Sequence, residues 1–154
     1  MASAFARRNM DEIAARIAEL DQLSRKVTST AKLVAELYVA NVEPSDTNPR
    51  KLPILQAILA TGDEPSSSCV DLIYKAYMEL SDVKLAAAPD LVKAGSQLGI
   101  YLLREADAQR HIESLTNMEI VRCRVEQAQA AAESVNIAVP PPTADFDDCK
   151  GKGL

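Results

Sequence analysis

The most constraining feature of this chain is a proline-free run from Pro89 to about Ser134. Pro89 suits the first turn of a helix, and Asn136 suits a stop just beyond the run. At 1.5 Å rise per residue, one uninterrupted helix over that run would extend roughly 65–70 Å. That exceeds the width of a small domain, so other segments have to cover its apolar face. Most of the remaining sequence reads as that cover.

Composition fixes the class of the cover. Apolar residues make up 47% of the 154 residues and charged residues 25%, the balance of a globular chain. There are five glycines, four tyrosines, two phenylalanines and no tryptophan, while alanine is plentiful. This favours close-packed helices over sheet, and no run of alternating β-branched residues marks a strand. The expected fold is all-α.

The first helix is expected to start near Asn9, with Asn9 as its cap and Glu12 three residues later closing a capping box. Met10, Ile13, Ile17 and Leu20 follow at spacings of three and four. Ser24, Val27, Ala31, Val34 and Tyr38 continue the pattern, a heptad seam over about four heptads. Ser24 and Ala31 make the middle of that seam thin. Residues 43–49 hold two prolines, a serine, an aspartate and an asparagine, and read as a loop. Pro53 then opens a short helix through Ile54, Leu55, Ile58 and Leu59, which Gly62 stops. So apolar a segment is expected to be buried. A third helix spans roughly Cys69 to Leu80, with Ser68 and Asp71 as its capping pair and Val70, Ile73, Tyr74, Tyr77 and Leu80 as its buried stripe. Residues 81–88 read equally as an extension of that helix or as a separate turn.

The long helix has two halves. In the first, Leu98, Tyr101, Leu102, Ala108, Ile112 and Leu115 are apolar, and Gly95 and Gly99 interrupt. Each glycine costs about 1 kcal/mol in a helix interior, so the pair implies close approach of another helix backbone. In the second, Met118, Val121, Val125, Ala128, Ala132 and Val135 form a cleaner seam. The steps from Leu115 to Met118 to Val121 are three and three, which overwinds the heptad and marks a junction between packing environments.

Short connections favour an antiparallel up-down-up-down helical bundle in which the first and last helices pair as a long, coiled-coil-like two-helix stalk. The expected organisation is one helical domain over residues 1–138. Its stalk is formed by about 9–27 with 116–136 and its bundle by about 28–115. Residues 139–154 follow as an extended or disordered tail, set by Pro140, Pro141 and Pro142.

Chemistry is sparse. His111 is the sole histidine, so any histidine-based triad would have to use it, and a di-iron pair of Glu-x-x-His motifs cannot be assembled. Glu105 falls on the apolar seam and is expected to pair with an arginine or reach a wet edge. There is no Gly-rich phosphate loop. Cys69, Cys123 and Cys149 have spacings that suit neither a disulfide framework nor zinc, which favours reduced thiols, with Cys69 and Cys123 as small core residues. No cofactor, metal or catalytic residue is expected. The net charge of −5 disfavours unassisted nucleic-acid binding, and no stretch is apolar enough to span a bilayer.

Alanines and a serine bury little area at ~25 cal/mol per Å², so a lone stalk would be marginal and other chains are expected to complete it. The functional expectation is a non-enzymatic structural or adaptor subunit binding other protein subunits through helical surfaces, as a homo- or hetero-oligomer. The alternative is a helical-bundle carrier of a lipid or small apolar ligand. The candidate partner-binding residues are Ile13, Ile17, Leu20, Met118, Val121 and Val125, with Phe146 in an acidic stretch of the tail. The expected compartment is the cytoplasm, with the cytoskeleton or nucleus as alternatives. Import into mitochondria is disfavoured because Asp11 and Glu12 closely follow Arg7 and Arg8.

Overall fold

The computed structural model describes residues 4–46 and 50–133, with side chains from residue 7 onward. The fold is all-α, an antiparallel helical bundle in which the long first and last helices pack together. The helices are α1 (Ala4–Asn41), α2 (Lys51–Ala60), α3 (Ser67–Met78), α4 (Asp82–Ala87) and α5 (Pro89–Glu133), with a 3-10 turn at Pro44–Asp46. No strand occurs among the described residues. Contacts cluster into two units. One joins α1 up to Leu20 with α5 from Asp107 onward, and the other comprises Asp21–Ala106.

The local punctuation follows backbone chemistry. Pro89 is the first residue of α5 and Pro53 lies in the first turn of α2, where a missing N–H goes unnoticed. Gly62 follows α2 at a φ of +72°, the left-handed conformation that glycine adopts without a Cβ penalty. The cap of α3 is Ser66 rather than Ser68, its Oγ accepting the Cys69 N–H at 3.3 Å. Residues 82–87 form a helix of their own, because Ser81 caps it by accepting the Lys84 N–H at 3.2 Å. At the other end of the chain, Asn9 is no cap. The first helix begins at Ala4, which leaves Asn9 buried inside it.

The Asp21–Ala106 unit holds the main core. Val34, Tyr38, Leu55, Ile73, Leu91 and Leu98 are fully buried there and come from α1, α2, α3 and α5. Two polar contacts fix α1 against α5: Ser24 Oγ donates to Glu105 Oε2 at 2.8 Å, and the Lys26 ammonium sits 5.7 Å from the Tyr101 ring centre. As α1 advances from 24 to 26, its partner on α5 falls back from 105 to 101, so the two run antiparallel. The short helix α2 is not buried as expected. Only Leu55 is fully covered and Ile54 is exposed. A ten-residue helix at the margin of the unit turns one face inward, and an apolar sequence on every side cannot change that.

The two α5 glycines do mark a close approach, but of aromatic rings rather than of a backbone. A Cβ placed on Gly95 would lie 2.3 Å from Cε1 and Cζ of Tyr77, and one on Gly99 would lie 2.6 Å from the Tyr74 hydroxyl. The rings of Tyr74 and Tyr77 are 6.1 Å apart, tilted by 31°. Tyr77 donates its hydroxyl to the Val92 carbonyl at 3.4 Å. The helix gives up intrinsic propensity at two positions, and α3 gains two notches for large amphipathic side chains.

A smaller polar link closes the loop side of this unit. Asp46 Oδ2 accepts the Glu43 N–H at 2.8 Å and meets the Lys84 ammonium at 3.2 Å. The Glu43 N–H first, and Lys84 second, hold the Asp46 carboxyl below its ordinary range. A depressed carboxylate stabilises the fold above its unfolded pKa, about 4, and loses that contribution as pH falls through the lower folded value.

Two outcomes are expected. Gly95→Ala should destabilise the chain despite a gain of about 1 kcal/mol in helix propensity, because overpacking against a ring costs about 1–3 kcal/mol or more. Combining it with Tyr77→Leu should cost less than the two changes summed, whereas Gly99→Ala should be nearly neutral once Tyr74→Phe has removed the hydroxyl. Urea midpoints followed by circular dichroism measure both cycles. Secondly, the stability gap between the wild type and Asp46→Asn should narrow as pH falls below the unfolded value of about 4 and vanish once the depressed folded carboxyl is also protonated, read from thermal midpoints in acid.

Candidate functional site

The helix-pair unit contains the residues that the sequence offered for partner binding. Here the seam runs elsewhere. Ile13 of α1 and Ala108 and Leu115 of α5 are buried, and Leu20 is half-buried. Among these apolar residues lies a carboxylate. Glu119 is 3% exposed and accepts a hydrogen bond from Asn9 Nδ2 at 2.8 Å across the pair. Its other oxygen takes Arg122, with Nη2 at 2.9 Å and Nε at 3.2 Å, and Arg122 Nη1 reaches Glu126 at 2.6 Å. The hydrogen bond to Glu119, and then that to Glu126, raise the Arg122 guanidinium above its ordinary pKa. Burying an ion is tolerable when opposite charge and hydrogen bonds surround it, and Glu119 has both.

With Glu119 turned inward, the apolar positions beside it turn outward. Met118, Val121 and Val125 are 47%, 56% and 49% exposed, and Ile17 and Met10 of α1 are also exposed. The expected seam through Ile17, Met118, Val121 and Val125 is therefore not the internal one. The reason lies in the two three-residue steps from Leu115. Each falls about 60° short of a full turn, so Met118 and Val121 sit progressively further round the helix than buried Leu115. The steps carry the apolar pattern from one face of α5 to another instead of overwinding a single seam. Phe146 and the tail at 139–154 lie outside the described residues.

An open groove of about 630 Å³ runs along this outer face, beside Arg110, Ser114, Asn117, Met118 and Val121, with Glu113 at its rim. Arg110 pairs with Asp107 one turn earlier, in an ion pair largely exposed at both ends. Such a pair adds little stability and exchanges readily. Chemically the face offers apolar contact between charged edges, which suits docking of another helix.

The remaining candidates are accounted for by their surroundings. Glu105 is half-buried and takes the Ser24 hydroxyl, not an arginine. It borders a cavity of about 160 Å³ shared with Thr28, Ser67 and Asp71 in the Asp21–Ala106 unit. His111 is half-buried on α5. Cys69 is a free thiol, half-buried on α3, and Cys123 is half-buried on α5. Among the described residues no group of three or more histidine, cysteine or acidic side chains could hold a metal ion, and no helix is long and apolar enough to cross a membrane.

The Asn9–Glu119 contact yields a direct test. Asn9→Ala should cost about 1–3 kcal/mol, the penalty for leaving a buried acceptor short of a partner. Replacing both residues by leucine should recover most of that loss or exceed the wild type, since paired removal of buried polar groups is often neutral or stabilising. Equilibrium urea unfolding of the three variants decides it.

Comparison with known proteins finds no family model, no curated protein and no solved structure that matches this chain.

Proposed function

We propose that the chain is a non-enzymatic adaptor or structural subunit that binds another protein through the outer face of α5. The observation that carries this reading is the inversion at the helix pair: a carboxylate is buried at Glu119 while Met118, Val121 and Val125 stand about half exposed beside it. Apolar side chains at spacings of three and four form a helix-docking ridge, and leaving that ridge in water forgoes its burial energy. Ile17 and Met10 add exposed apolar surface on α1, and Ile13 and Leu20 support the pair from within. The carrier alternative is the weaker reading, because Tyr38, Leu55, Ile73, Leu91 and Leu98 are fully buried and belong to one packed core cluster.

The test is sedimentation of the chain at its native level in cell extract. The wild type should travel in a particle larger than the monomer. A Val121→Glu, Val125→Glu double variant should travel as the monomer, with a folding stability within about 1 kcal/mol of the wild type because both sites are surface positions. A wild type that sediments as a monomer, or a double variant that stays in the larger particle, would overturn the proposal.

A further inference from the structure

We draw no further inference here: the strongest candidate, the exposed apolar ridge of Met118, Val121 and Val125 on the outer face of α5, is the surface already proposed for partner binding, and nothing in the structure shows what covers it.

Discussion

The pairing of α1 with α5 is set by polar side chains at places where apolar ones could slide. Seams rich in alanine and short of bulk offer several registers of similar energy. A hydrogen bond between named atoms offers one. In the helix-pair unit that bond joins Asn9 to Glu119. In the Asp21–Ala106 unit it joins Ser24 to Glu105. A buried polar group at a seam position is the best attested means of specifying helix register, and it does so at some cost in stability. Glu119 carries the larger desolvation cost, since it is the more completely buried, and Asn9 and Arg122 offset it.

Fixing the register also fixes the rotation of α5. A helix cannot turn Glu119 toward its partner without turning Met118, Val121 and Val125 away. Rotating the valines inward would tear the carboxylate from Asn9 and bring the Arg122 network with it. The exposed ridge and the buried charge are therefore one structural fact seen from two sides. The proposed binding role of the outer face of α5 rests on this coupling.

How much of this was legible in the sequence depended on the range of the interaction. Backbone punctuation was readable because its cause is local: Pro53, Gly62 and Pro89 act through their own dihedrals. The cap of the third helix was placed two residues late, at Ser68 instead of Ser66, since neighbouring serines compete for the same role, and residues 81–88 stayed open between an extension of that helix and a separate turn. Asn9 was misread because a capping box needs only four consecutive residues, whereas its real partner lies 110 positions away. The apolar ridge was found but assigned to the inside. Periodicity identifies a face and says nothing about which neighbour, protein or water, that face meets. Gly95 and Gly99 correctly signalled a close approach, but a glycine leaves the same gap for a backbone or for a ring, so the approaching group had to be seen.

Those two glycines have a mechanical consequence. Tyr74 and Tyr77 are three apart on α3, while the notches that admit them are four apart on α5. The two teeth and two slots have unequal pitch, as on a vernier scale, and coincide at one alignment. Shifting α3 by a single turn would seat one ring on the wrong slot and drive the other into a side chain. The short third helix is thus indexed to the long fifth one like a key with two cuts, and it acts as a ratchet stop against sliding that uniform aliphatic packing would permit.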